Sequence, residues 1–177
     1  MRMVKCQLKS ILKKGDMKMN IRAITDDIII PAPAVDVYRA WTTREGIKTF
    51  FAPDANIKLE IMGPYEIIFL PDNPEGLRGG EENIILSFQE NKMFSFTWNA
   101  PPELKEVRNE RTHVFLRFME INERETRLLF HQDGWGEGGE WEKSFEYFNY
   151  AWKKVVLPRL KYRFKVNPVD WTNPPKI

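Results

Sequence analysis

The chain has 177 residues, enough for one domain with one substantial core. Its 42% hydrophobic and 29% charged content excludes extended disorder, and a net charge of +2 gives no global argument for binding nucleic acid or a membrane surface. A single cysteine, Cys6, excludes an internal disulfide and fits a reducing, cytoplasmic setting, and no apolar run is long enough to span a bilayer.

Residues 1–21 read as a basic leader. Val4, Leu8, Ile11 and Leu12 have helical spacing, while Lys9 and Ser10 interrupt the apolar run and no small-residue cleavage site follows, which argues against a signal peptide. Two readings stay open: a short basic amphipathic helix, or a natural start at Met17 or Met19.

Arg22 to Ile30 ends in a β-branched run and is expected as a strand, stopped by Pro31-Ala32-Pro33. Ala34 to Thr43 is expected as a short helix with Val37, Ala40 and Trp41 on one side, and Ile47, Phe50 and Phe51 as a second helical turn. From Asp54 the period becomes two. Ile57, Leu59 and Ile61 define one expected strand, and Tyr65, Ile67 and Phe69 the next after a turn at Met62-Gly63-Pro64. Pro71–Glu81 is a long Pro- and Gly-rich loop, and Ala100–Arg111 a second polar loop. Between them lie strands Ile84–Gln89 and Met93–Asn99, the latter with Phe94, Phe96 and Trp98 on one face. Thr112–Ile121 carries Val114, Leu116 and Phe118 inward with His113 and Arg117 outward. A hairpin at Asn122–Glu125 returns into Thr126–Gln132, where Leu128, Phe130 and Gln132 share a face. About seven strands joined by turns imply an antiparallel sheet.

Glu137–Lys165 reads as one long helix entered through a glycine-rich hinge, Gly134–Gly139. On a helical wheel Trp141, Phe145, Phe148, Trp152, Val155 and Val156 form one apolar stripe. Glutamates at its start and Arg159, Lys161, Arg163 and Lys165 at its end suit the helix dipole. Pro158 should kink or end it near Lys154–Leu157, and the gripped part should stop there. One domain over residues 22–166 and an extended tail over 167–177, with Trp171 packing back, complete the expected organisation.

Few motifs carry chemistry. Gly134, Gly136 and Gly139 match the dinucleotide fingerprint, but no second parallel strand follows and Glu137 and Glu140 would repel phosphate, so a hinge is expected. His113, His131 and Asp133 have zinc-ligand chemistry, yet alternation turns the histidines outward and no metal site is expected. Cys6 has no histidine nearby, and no serine sits in a nucleophile elbow. The basic cluster from Lys153 to Lys165 reads as a solvated helix end rather than a nucleic-acid surface.

Ile30-Pro31-Ala32-Pro33 followed by Val37 to Thr42, Glu45-Gly46-Ile47 with Phe50-Phe51, Phe96-Thr97-Trp98, and Leu128 to Trp135 together resemble the activator of heat-shock-protein-90 ATPase homologue family. That family belongs to the START-like SRPBCC superfamily. The resemblance covers about Arg22 to Phe164, with departures at Phe50, where tryptophan is common, at Met62-Gly63, and in the two long loops. It implies an α+β helix-grip fold, a curved antiparallel sheet wrapped around the long C-terminal helix with two short helices after the first strand. It also implies a cavity between sheet and helix.

By alternation, Tyr65, Ile67, Phe69, Phe94, Phe96, Trp98, Leu116, Phe118, Phe130 and Gln132 face that helix, which contributes Trp141, Phe145, Phe148 and Trp152. Gln132, Tyr65 and the Trp98 indole N–H would be the polar groups of a ligand site; the competing reading is that the rings fill the space and each polar tip bonds to protein. The function expected on the resemblance is non-enzymatic binding of a small hydrophobic molecule, without cofactor. A protein partner, a chaperone or a second copy of the chain, is the alternative, although in the family that activity belongs to multidomain members and this chain has no room for their second domain. A small hydrolase or cyclase of the same fold is the third reading, with Gln132 and Tyr65 a poor acid–base pair.

Overall fold

The computed structural model describes residues 22–175; the expectations for the leader lie outside the described residues. β1 (Ile24–Ile30) leads through Pro33 into α1 (Ala34–Thr42) and the single turn α2 (Arg44–Ile47). Seven further strands follow: β2 (Asp54–Ile57), β3 (Tyr65–Ile68), β4 (Gly79–Gly80), β5 (Ile85–Gln89), β6 (Met93–Asn99), β7 (Arg111–Asn122) and β8 (Glu125–Asp133). The chain then enters α3 (Glu140–Tyr150), a π-helical segment (Ala151–Val156) and α4 (Leu157–Lys165), which run on without interruption.

The strands are antiparallel and form a five-stranded sheet in the order β1-β8-β7-β6-β5 and a three-stranded sheet in the order β2-β3-β4. The two meet at a bridge between Pro64 and Ile84, reinforced by hydrogen bonds from Met62 N to Ile85 O (2.8 Å) and from Tyr65 N to Asn83 O (2.8 Å). Register places Phe96 beside Val114, Leu116 beside Phe130, and Val114 beside Gln132, so one apolar face is continuous across β6, β7 and β8. That face, α1, α2 and the last helix enclose one core. The antiparallel sheet and long C-terminal helix are those of the helix-grip architecture expected from the sequence.

Three local expectations fail for identifiable reasons. The strand expected over Ile57, Leu59 and Ile61 stops at Ile57. Backbone bonds from Glu60 N to Lys58 O and from Gly63 N to Glu60 O curl residues 58–63 into a turn, and Ile61 is left 65% exposed. The Pro71–Glu81 loop contains the two-residue β4, so the strands number eight rather than seven. The third concerns Pro158, which neither ends the helix nor marks the limit of its packing, since Leu157 and Leu160 beyond the π segment are buried.

The π segment has a physical reason. The buried helix positions include Ser144, Phe148, Trp152, Val156 and Leu160, each four residues after the last, with Leu157 beside Val156. At about 3.6 residues per turn, each four-residue step over-rotates by about 40°, and the stripe would drift off the sheet. The i→i+5 bonds of a π turn, such as Leu157 N–H to Trp152 O, rotate it back. Pro158 lacks the N–H that an α-helix would aim at Lys154 O, so the α pattern is weakest here.

The hinge before α3 takes its direction from glycine. Gly139, the residue preceding the helix, has φ 54° and ψ −130°, a region essentially closed to residues with a Cβ. Gly139→Ala should therefore cost about 1–3 kcal/mol, measured as a lowered urea midpoint. An unchanged midpoint would mean that the reversal does not need glycine.

Candidate functional site

The centre of the core is solid. Tyr65, Phe94 and Phe96 pack edge-on or tilted at centroid distances of 4.3–5.3 Å, and Phe130 lies 4.8 Å from Trp152. Ile67, Leu116 and Phe118 are buried among them. Two of the expected polar groups bond to protein. Tyr65 Oη donates to Trp41 O at 2.9 Å, and burial pushes its phenol well above the ordinary tyrosine range. The fully buried Gln132 donates from Nε2 to Thr112 Oγ1 (2.8 Å) and accepts at Oε1 from Trp152 Nε1 (2.6 Å).

Open space lies instead at the edge where the two long loops meet the last helix. One cleft of about 270 Å³ is lined by Phe69, Leu70, Leu77, Gly79, Gly80, Trp98, Arg108, Tyr147 and Phe148, among others. A second of about 270 Å³ is lined by Phe51, Phe69, Trp98, Tyr147, Phe148, Ala151, Trp152, Val155 and Arg159, among others. Phe69, Trp98, Tyr147 and Phe148 belong to both walls, so the clefts adjoin. Exposed apolar residues gather here: Phe69, Leu70, Leu77, Tyr147 and Tyr150. Larger crevices elsewhere, of about 490–540 Å³, have charged or polar rims, such as that of Asp36, Arg39, Glu45 and Arg163.

Of the fourteen residues expected around a cavity, Phe69, Trp98, Phe148 and Trp152 line these clefts. Trp141 and Phe145 do not. They pack edge-on against Trp135 of the hinge, at 6.3 and 5.2 Å, with the Arg22 guanidinium 3.8 Å over the Phe145 ring. Tyr147, Leu77, Ala151 and Arg108 line the clefts without having been singled out in the sequence. Tyr147 falls off the helical stripe, and the others had only the loops' unusual length and the helix itself as a signal.

Trp98 is the partition. Its ring stacks on Phe51 (5.7 Å) and meets Trp152 (5.5 Å), while its buried Nε1–H finds no acceptor among the described residues. Tyr38 Oη, Trp41 Nε1 and Arg163 Nε are likewise without partners, but Tyr38 and Trp41 line neither cleft and Arg163 belongs to a different crevice. Glycine lets β4 pass beneath: a Cβ on Gly80 would lie 2.8 Å from Trp98 Cη2.

A polar frame holds the loops. Glu81 is 3% exposed and accepts from Gly76 N (2.9 Å), Arg78 N (2.7 Å) and Arg78 Nε (2.8 Å). Asn99 Nδ2 donates to Glu81 O at 2.8 Å, and Arg108 bridges the loops by donating to Ala100 O and to Gly79 O. The Glu106 amide donates to Glu140 at the start of α3 (2.8 Å).

On the outer face of the sheet, Asp133 stands between the two histidines, Oδ2 3.0 Å from His131 Nε2 and Oδ1 3.6 Å from His113 Nδ1. Among the described residues, no group of three or more His, Cys, Asp or Glu is placed to hold a metal ion. None of the described helices is long and apolar enough to cross a membrane.

The model of the family described as activator of Hsp90 ATPase homolog 1-like protein matches residues 31–164, and the chain belongs to that family. No curated protein matches it in sequence. Among solved structures, the Aha1 dimer from Colwellia psychrerythraea aligns with TM-score 0.63 at 18% identity, over 83% of this chain and 98% of that one. Protein MLL2253 from Mesorhizobium loti aligns with TM-score 0.62 at 18% identity, over 79% and 94%. An HSP90 activator from Plasmodium falciparum aligns with TM-score 0.60 at 12% identity, over 78% and 93%. At these identities the likeness is one of fold.

Burial alone would raise the Glu81 carboxyl, but the amide and guanidinium donors outweigh it and hold it below the ordinary glutamate range. Its contribution is therefore full above the unfolded-state pKa of about 4.3 and is lost as pH falls through the lower folded value. Between about pH 6 and pH 3, the native protein should lose stability more steeply than Glu81→Gln. Equal slopes in urea titrations would show that Glu81 is not ionised in the frame.

Proposed function

We propose that the domain is a non-enzymatic binding module for a small hydrophobic molecule, held in the adjoining clefts between the loop-bearing edge of the sheet and the last helix. The observation that carries the reading is the shared aromatic wall of Phe69, Trp98, Tyr147 and Phe148, with a buried indole N–H lacking an acceptor on one of its members. Each cleft, at about 270 Å³, is slightly smaller than the about 300–1,000 Å³ usual for ligand sites. A ligand that occupies both fits the range. A catalytic role has less support, because Tyr65 and Gln132 are both engaged by protein groups. The single cysteine makes a reducing, cytoplasmic setting part of the same proposal.

A chaperone-facing role is the second reading. It rests on the family and on one neighbour: this chain covers 93% of the Plasmodium falciparum HSP90 activator, so a short chain is no argument against it. Self-association enters through the Colwellia psychrerythraea Aha1 dimer in the same way.

A neutral apolar fluorophore such as Nile red should bind with a blue-shifted emission. Ala151→Phe, which places a ring in the second cleft without opening the core, should abolish that binding while far-UV circular dichroism is kept. Undiminished binding in Ala151→Phe would sink the assignment to these clefts.

A further inference from the structure

The first cleft combines an aromatic wall with a few polar side chains, Asn73, Asn99, Glu103 and one cation, Arg108. Its guanidinium is oriented by loop carbonyls, donating to Ala100 O, to Gly79 O at 2.7 Å and more weakly to Gly76 O at 3.4 Å. Neighbouring ion pairs join Arg78 to Glu81 and Arg111 to Glu82, whereas Arg108 forms none among the described residues. Its Nε–H also makes no bond there. Burial, with some repulsion from Arg111, lowers its pKa despite attraction from Glu81, Glu82 and Glu103, so the cation is held partly out of water with no carboxylate at ion-pair distance among the described residues. Glu103 lines the same cleft, but its side chain is exposed and screened.

The other cleft is also lined by an arginine, Arg159, whose guanidinium lies 5.4 Å over the Trp171 ring of the tail. That cation already has an aromatic partner, and no hydrogen bond fixes its fork. Arg108 is the opposite case: Nη1 and Nη2 are fixed by backbone carbonyls, while the Nε–H makes no bond and no carboxylate lies at ion-pair distance among the described residues.

We propose, on the reading that the adjoining clefts hold a small molecule, that this molecule is an elongated amphiphile whose anionic oxygen head pairs with Arg108 and whose apolar body runs past Trp98 and Tyr147 toward Ala151. A guanidinium held in place by backbone carbonyls, with its Nε–H free, can still donate a charge-assisted hydrogen bond to a carboxylate or similar oxyanion. The two loops then have a common purpose: the second supplies the arginine and Ala100 O, and the first supplies Gly79 O and Gly76 O, which together aim it.

The test compares dansylaminoundecanoate with its methyl ester by fluorescence titration at low salt. The acid should bind the native protein about ten-fold more tightly than the ester. Arg108→Gln, whose amide can still donate to a loop carbonyl, should bring the acid-to-ester ratio below about two, and Arg159→Gln should leave the ratio as it was. Equal binding of acid and ester by the native protein would overturn the head-group assignment while leaving the cleft reading in place. So would a preference that survives in Arg108→Gln, or one that is lost in Arg159→Gln. Binding of neither probe would count against the cleft reading itself. Because the comparison on the native protein decides first, a variant that failed to fold would not protect the proposal.

Discussion

The position of the last helix depends on one buried hydrogen bond, from Trp152 Nε1 to Gln132 Oε1 at 2.6 Å. Gln132 is also fixed from its other end by Thr112 Oγ1, so β7, β8 and the helix are joined through a single amide. Nothing else polar crosses from the helix into the sheet's inner face among the described residues. Trp152 therefore has one register along the sheet, and the rings around it, Trp41, Phe51, Trp98, Phe130 and Phe148, pack to that register. Buried polar groups that are fully satisfied specify a unique packing, because any shift leaves a donor or acceptor unmade.

This constraint explains two features that look unrelated. With Trp152 anchored, the buried positions must recur every four residues for the helix to keep touching the sheet, and the π segment supplies the needed unwinding around it. With the centre packed at aromatic contact distance, the apolar open space lies at the periphery, beside the last helix and the loop-bearing edge of the sheet. The candidate site is consequently a peripheral pair of clefts rather than the central cavity that the family resemblance implied. Its floor is the same aromatic cluster that makes the core, and its rim is the loop frame around Glu81 and Arg108.

Much of the fold was legible because the longest strands alternate without interruption. Phe94, Phe96 and Trp98, then Val114, Leu116 and Phe118, then Leu128, Phe130 and Gln132 all face the core. Alternation over only Ile57, Leu59 and Ile61 misled, since a turn with local backbone bonds can show the same pattern over so few residues. The helical wheel placed Trp141 and Phe145 with Phe148 and Trp152 correctly in angle, but angle says nothing about where the sheet ends, and Trp135 takes up the first two. The site was less legible. Phe69, Trp98, Phe148 and Trp152 came from periodicity, whereas Leu77 and Arg108 sit in loops whose path depends on carbonyl and carboxylate bonds that no spacing rule encodes. Tyr147 lies outside the apolar stripe because its side of the helix faces the cleft and solvent together.

The central claim, that a small molecule lies against the Trp98 partition, is tested most directly by the indole N–H signals of the six tryptophans in a proton–nitrogen correlation spectrum. Titration with a neutral apolar fluorophore should shift the Trp98 and Trp152 indole signals and leave that of Trp141, which packs against Trp135 of the hinge and lines neither cleft, in place. Saturating probe with no change at Trp98, or changes confined to Trp135 and Trp141 at the hinge, would contradict the account.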